Sequence, residues 1–135
     1  MCHYHLIPYR QRGKRTLMID EADFAELKST LLTRVTVGVG SQVLIFGSGA
    51  TIMVQCHFCC ESAGREQWGH GEKIHTSALF FDFFNHRIED ALLECGEILV
   101  LRFEGGRFLK IVPERNGLES YVVTTRFGIC PVVVA

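Results

Sequence analysis

The sequence predicts an α+β fold: a mostly antiparallel twisted sheet or half-barrel made of two pseudo-repeats, with one or two short helices. Three observations lead to this prediction. Apolar residues alternate with a period of two through most of the chain, which is typical of half-buried strands. The connections between these segments are short and contain glycine, which favours antiparallel hairpins. One strand–turn–strand unit also occurs twice.

The repeated unit begins at Leu44 and again at Leu101, and both copies carry the pattern Leu-x-Phe-x-x-Gly. An apolar residue follows at the equivalent place, Ile52 in the first copy and Leu109 in the second. A single hairpin cannot bury its apolar face alone, so the two copies are expected to share one core. We therefore interpret residues 1–135 as a single domain, with pseudo-repeats at about 33–60 and about 86–126.

The remaining elements follow from local patterns. Residues 1–19 show no apolar period and are predicted to form an arm or an edge segment. Asp20 is a favourable N-cap, and the apolar residues after it recur at helical spacing, so a helix is predicted over residues 20–30. Residues 61–75 are rich in glycine and charge and are predicted to form a long loop, and 77–84 a short helix. Strands are predicted at 35–39, 42–46, 50–58, 88–93, 98–103, 108–112, 121–126 and 129–134.

Composition and charge limit the possible functions. The net charge of −1 argues against a general nucleic-acid binder, which needs a basic surface. No apolar run approaches the length of a membrane-spanning helix. The chain has six cysteines and no export signal, so we expect a cytoplasmic protein with reduced thiols. Residues 61–104 carry nine acidic and four basic side chains, a balance that would attract a basic partner.

The cysteines and histidines suggest one alternative function. A zinc-binding module would use two cysteines and two histidines at spacings near a zinc-finger pattern: Cys56, Cys59, His70 and His75. In a continuous strand, however, Cys56 and Cys59 point to opposite faces, so we predict no metal ligand and no cofactor. The sequence also contains no nucleophile elbow and no phosphate-binding glycine loop, so we do not expect an enzyme. A small-molecule-binding half-barrel is the second alternative.

Segment 61–75 is the better candidate for function, because long loops in small domains are often binding loops. It contains Trp68, the only tryptophan of the chain, between acidic residues. An aromatic anchor flanked by charges is typical of an interface hot spot. We predict four contacts with a partner: Glu61, Glu66, Trp68 and Glu72.

The motifs of the two halves also resemble a known group of proteins. The first half contains Arg34-Val35-Thr36-Val37 and the glycine hairpin after Leu44, and the second half contains His86-Arg87-Ile88, the hairpin after Leu101 and Glu119-Ser120-Tyr121. Over about residues 31–126 the chain thus resembles small bacterial domains of polymorphic-toxin and contact-dependent growth-inhibition loci. The resemblance implies an immunity protein that binds a cognate protein toxin, often a nuclease, and covers its active site. From the near-neutral charge and the lack of a long apolar run we predict no nucleic-acid and no membrane partner, and the oligomeric state stays open.

Overall fold

Two five-stranded antiparallel sheets pack their inner faces into one hydrophobic core. The computed structural model describes residues 9–11, 15–17 and 19–135. These ranges contain twelve strands, one α-helix and one 3-10 helix. The predicted α+β fold with a mostly antiparallel twisted sheet is therefore confirmed, although the described residues form twelve strands where eight were predicted.

The elements up to residue 70 are β1 (Tyr9–Gln11), β2 (Arg15–Leu17), α1 (Glu21–Leu27), β3 (Leu32–Gly38), β4 (Ser41–Phe46), β5 (Thr51–Val54), β6 (His57–Ser62) and β7 (Arg65–His70). The elements after it are the 3-10 helix (Ile74–Phe83), β8 (Ile88–Glu94), β9 (Ile98–Phe103), β10 (Arg107–Val112), β11 (Glu119–Thr125) and β12 (Gly128–Val133).

Both halves of the chain follow the same route through the two sheets. A three-strand meander (β3–β4–β5, then β8–β9–β10) is followed by a hairpin (β6–β7, then β11–β12). Each hairpin leaves its own meander and pairs with the last strand of the other one, which gives the orders β12-β11-β5-β4-β3 and β7-β6-β10-β9-β8. The repeated residues take equivalent places, since Leu44 pairs with Ile52 in the first sheet and Leu101 with Leu109 in the second.

The single strand predicted over 50–58 is wrong, because the chain changes sheets within it. β5 ends at Val54 and β6 begins at His57. At this crossover the Gln55 N–H donates to the Ser120 carbonyl at 2.9 Å, and the Gly71 N–H donates to the Cys56 carbonyl at 2.9 Å. These bonds satisfy backbone groups that neither sheet pairs. They also bring the start of β11 and the segment that follows β7 to the same end of the molecule.

The predicted loop over 61–75 is also wrong, since most of it belongs to the β6–β7 hairpin. The two residues of the turn, Ala63 and Gly64, have φ angles of 53° and 77°. Two successive positive φ angles are the mark of the tight turn that matches the twist of a hairpin. β7 is an edge strand with exposed polar side chains from Arg65 to Gln67, so it lacks the apolar alternation by which strands are recognised.

The two helices close the core. α1 has the predicted Asp20 N-cap, whose carboxylate accepts from the Ala22 and Asp23 N–H groups, and the helix ends at Leu27 instead of residue 30. The predicted helix over 77–84 is part of the longer 3-10 helix. Its buried Phe80 stacks on Phe58 of β6 with ring centroids 4.2 Å apart.

The N-terminal segment is described in part. Tyr9–Gln11 and Arg15–Leu17 pair as a short antiparallel hairpin, and the other residues of the predicted arm up to 18 lie outside the described residues. In the ranges that are described, no helix has the length and apolar character needed to cross a lipid bilayer.

Candidate functional site

The outer face of the second sheet, which points away from the core, carries most of the predicted contact residues. The sheet register places directly opposed residues on the same face. One cross-strand row on this face consists of Trp68, Cys59, Lys110, Val100 and Leu92. The neighbouring row consists of Glu66, Glu61, Phe108, Arg102 and Asp90. We call these ten residues the outer face.

Trp68 is the most prominent apolar group of the outer face. It lies on the edge strand β7, and 54 % of its surface is exposed. Its neighbour in the row, Cys59, is 3 % exposed, and Val100 further along is 6 % exposed. Leu92 at the opposite edge is again exposed, at 43 %. The row therefore has an exposed large apolar side chain at each end, and between them the partly exposed Lys110 lies between buried Cys59 and Val100.

The second row begins with two carboxylates. Glu61 and Glu66 are directly opposed in the β6–β7 register. Like charges in this position repel each other, and among the residues that the structure describes neither carboxylate has an ion-pair partner within 4.0 Å. The pKa of the Cys59 thiol is raised, first by burial and then by these two carboxylates. The face thus has an acidic edge beside its tryptophan.

Glu72 is separated from the other three predicted contacts. It follows the end of β7 and lines a hollow of about 290 Å³ together with Glu114 and Glu119. The structure therefore brings Glu61, Glu66 and Trp68 together on the outer face. Glu72 lies outside this face, in the segment after β7.

A histidine cluster lies at this same end of the second sheet. His57 and His70 are opposed in the β6–β7 register, and their rings meet edge to face with centroids 4.5 Å apart. Glu114, which follows β10, places Oε1 2.5 Å from His70 Nε2 and 3.7 Å from His57 Nδ1. The side chain of His70 is 12 % exposed, that of Glu114 35 % and that of His57 56 %. The cluster therefore opens to solvent on the His57 side.

A hollow of about 360 Å³ adjoins the cluster. Its lining combines aromatic, cationic and hydroxyl groups and consists of His57, Trp68, Gly69, His70, Lys73, His75 and Thr76. It is the place where a small molecule would bind if the half-barrel alternative applied.

A buried glutamine fixes the chain segment that carries the cluster. Gln42 lies in β4 on the same face as Leu44 and is fully buried. Its Nε2 donates to the carbonyl oxygens of His70 at 3.1 Å and Lys73 at 2.9 Å. Buried polar groups are costly unless they are bonded, so these contacts hold the segment after β7 firmly against the first sheet.

The hydrogen bonds of His70 define its tautomer. The Glu72 N–H donates to His70 Nδ1 at 3.1 Å, so Nδ1 carries a lone pair. The imidazole hydrogen is then assigned to Nε2, from which it donates to Glu114 Oε1. His70 is therefore oriented at both ring nitrogens, by a peptide group and by a carboxylate.

The structure does not assemble the zinc ligands considered from the sequence. Cys56 is buried in the core, Cys59 lies on the outer face and His75 is exposed. Within the described part of the chain, the group of potential ligand atoms that converges is instead His57, His70 and Glu114, all within 4.8 Å of one another.

The cysteines are largely core residues, as expected. Cys56, Cys59, Cys60 and Cys130 are free thiols and buried. Cys95 is disulfide-bonded, which corrects the expectation that all thiols are reduced. Burial, with help from the Glu114 carboxylate, raises the pKa of Cys56 from 9.0 to about 12. Burial likewise raises the pKa of Cys60 to about 12. Neither thiol is therefore a nucleophile at neutral pH.

The raised pKa values of Cys56 and Cys60 predict how the stability of the fold depends on pH. In the unfolded chain they ionise near pH 9, whereas in the folded chain they stay protonated to about pH 12. Their contribution to folding is complete below pH 9 and is lost as the pH rises towards 12. We expect urea unfolding between pH 8.5 and 11, at steps of about half a pH unit, to show a falling free energy of unfolding. Cys56→Val should flatten this slope, and an unchanged slope would contradict the assignment.

Sequence reasoning missed Glu114, a member of the cluster, and Gln42, which holds the segment that carries His70. Glu114 lies far along the chain from both histidines, and no local spacing connects it to them. Gln42 could have been recognised as a buried polar residue from the sequence, because the alternation of β4 places it on the face of Leu44 and Phe46, towards the core.

Comparison with protein-family models, with curated proteins and with solved structures finds no match for this chain. The candidate sites therefore rest on the geometry of the outer face and of the histidine cluster.

Proposed function

We propose that this protein binds another protein through the outer face of its second sheet, as an immunity-type protein that neutralises a cognate toxin by covering its active site. The observation that carries this proposal is the exposed Trp68 beside the opposed carboxylates Glu61 and Glu66. The motif resemblance to immunity proteins supports the class of partner. A nuclease toxin acts on nucleic acid inside the cell, so the cytoplasm is the proposed place of action.

The electrostatics of the face favour a basic partner. Glu61 and Glu66 repel each other in the free protein, and a lysine or arginine placed between them would relieve that repulsion. Toxins that cleave nucleic acid need a basic surface to hold the phosphate backbone. The acidic edge of the outer face, formed by Glu61 and Glu66, is therefore complementary to the surface that must be blocked.

The packing of the face favours a macromolecule over a small ligand. Trp68 and Leu92 lie at opposite edges of a five-stranded sheet, and Cys59 and Val100 between them are already buried. Enclosing both exposed side chains requires a partner as wide as the sheet. Aromatic anchors rimmed by charge are the usual centres of such protein interfaces.

Co-expression tests the proposal. The chain is produced with the protein encoded by the adjacent gene, and complex formation is followed by size-exclusion chromatography and calorimetry. We expect a stoichiometric complex that protects cells from that protein and weakens as salt rises. Glu66→Lys should lower the affinity about tenfold or more, because it reverses the charge beside Trp68.

Glu21→Lys is the matched control, since it makes the same charge reversal on an exposed residue of α1. It should leave the affinity unchanged. Equal effects of the two substitutions would show that the affinity depends only on net charge, and this result would exclude the outer face as the binding site. Absence of both a complex and protection would remove the immunity function itself.

A further inference from the structure

We propose that His57, His70 and Glu114 form a binding site for a divalent transition-metal ion such as Zn²⁺. Two imidazole nitrogens and one carboxylate oxygen would be the protein ligands. This inference goes beyond the proposed function and does not require a protein partner. It also differs from the four-ligand set considered from the sequence, with which it shares only His70.

The sheet register supports the site, because it fixes the two histidines relative to each other. His57 and His70 are directly opposed on adjacent strands, and residues in such a pair have Cβ atoms about 4.5–5.5 Å apart. Glu114 approaches from the segment after β10, the strand that pairs with β6 on its other side. Two adjacent strands and the segment after β10 thus bring one ligand each to the same point.

The three donor atoms lie within 4.8 Å of one another, so shifts of about 1 Å would give the separations found around a tetrahedral ion. With metal–ligand bonds of about 2.0–2.2 Å, two ligands of a tetrahedron lie about 3.3–3.6 Å apart. His57 Nδ1 and Glu114 Oε1 are already 3.7 Å apart. His70 Nε2 and Glu114 Oε1 share a hydrogen bond of 2.5 Å, so this pair must widen by about 1 Å when the ion replaces the hydrogen.

The donor set and the surroundings indicate the kind of site. Imidazole and carboxylate together suit Zn²⁺ and its neighbours in the first transition row better than Mg²⁺ or Ca²⁺, which prefer oxygen alone. Three protein ligands leave a fourth position for water or another ligand. That position would face the exposed His57 side, next to the hollow that Lys73 and His75 line.

Metal binding must also rearrange the hydrogen bonds of His70. In the metal-free form its hydrogen is on Nε2, and Nδ1 accepts from the Glu72 N–H. An ion on Nε2 requires the hydrogen on Nδ1. Nδ1 would then be a donor that faces another donor, the Glu72 N–H. The Glu72 peptide must therefore turn away when the ion binds. This movement distinguishes binding at His70 from loose adsorption of metal to the surface.

Titration of the EDTA-treated full chain with Zn²⁺ tests the site, with Co²⁺ as a spectroscopic substitute. We expect one ion per chain by calorimetry and a change in the Glu72 amide resonance by NMR. His57→Ala and Glu114→Gln should each lower the affinity at least about tenfold. Both residues are partly exposed, so the variants are expected to fold, which circular dichroism would verify.

His75→Ala is the matched control, because this exposed histidine lines the same hollow but lies outside the cluster. It should bind Zn²⁺ as the unaltered chain does. The proposal is overturned if the unaltered chain binds no ion, if the double variant H57A/E114Q still binds one, or if the Glu72 resonance does not move. Loss of binding in Cys56→Ser with full binding in H57A would favour the cysteine-containing set instead.

Discussion

Replacing Gly71 with alanine is expected to lower the free energy of unfolding by about 3 kcal/mol, at the upper end of what overpacking usually costs. A Cβ at Gly71 would lie 2.0 Å from the Val54 carbonyl oxygen and 2.8 Å from the Gln55 Cα. Both are backbone atoms of the crossover between the sheets, so they cannot rotate away as a side chain can. Chemical denaturation at neutral pH measures the loss.

The substitution should also disturb the histidine cluster. The Gly71 N–H donates to the Cys56 carbonyl, and the residue follows His70 directly. Gly38→Ala is the matched control, because its Cβ would meet nothing closer than the Ser41 carbonyl oxygen at 3.9 Å. We expect that variant to stay within about 0.5 kcal/mol of the unaltered chain. A Gly71→Ala protein as stable as Gly38→Ala would contradict the described crossover.

Replacing Trp68 with alanine is expected to weaken partner binding by at least about 2 kcal/mol, or about 30-fold in Kd. The half-exposed indole would become buried on binding, and it is the largest apolar group of the outer face. Because the side chain lies outside the core, its loss should leave the thermal unfolding midpoint nearly unchanged. Calorimetry of the complex and a melting curve of the free chain separate the two effects.

Phe81→Ala provides the comparison for Trp68→Ala. Phe81 is exposed to the same degree, 53 % against 54 %, but it lies on the 3-10 helix and stacks on Phe84. Its removal should not change the affinity. If the two variants weaken binding equally, or if neither does, Trp68 is not the centre of the interface.

The sequence was sufficient to predict the meanders and the repeat. Alternation in β4 and β9, with glycine turns after them, predicted these strands within one residue of their ends. Leu44 and Leu101 occupy equivalent registers, as the predicted repeat requires. These strands have one buried and one partly exposed face. Such strands show an alternation of apolar and polar residues with a period of two, which makes them recognisable in the sequence.

The exchange of hairpins between the halves was not predictable from local pattern. Whether β6 continues the first sheet or crosses to the second depends on pairing with β10, nearly fifty residues away. The same long-range pairing brings Glu114 to His57 and His70. β7 was missed for a different reason: its residues from Arg65 to Gln67 are polar and exposed on both faces of the strand, so a hydrophobic period of two is missing. The predicted contacts Glu61, Glu66 and Trp68 nevertheless lie on one face. Glu61 and Glu66 are opposed in the β6–β7 hairpin, and Trp68 lies two residues beyond Glu66 on the same strand.

Amide hydrogen exchange of the chain with and without its bound protein partner tests the outer face most directly. We predict that binding slows exchange in β6 and β7, around Glu61, Glu66 and Trp68, and leaves β3 and β4 of the first sheet unchanged. Slowed exchange confined to the first sheet, with β6 and β7 exchanging as in the free chain, would contradict the assignment of this face as the binding surface.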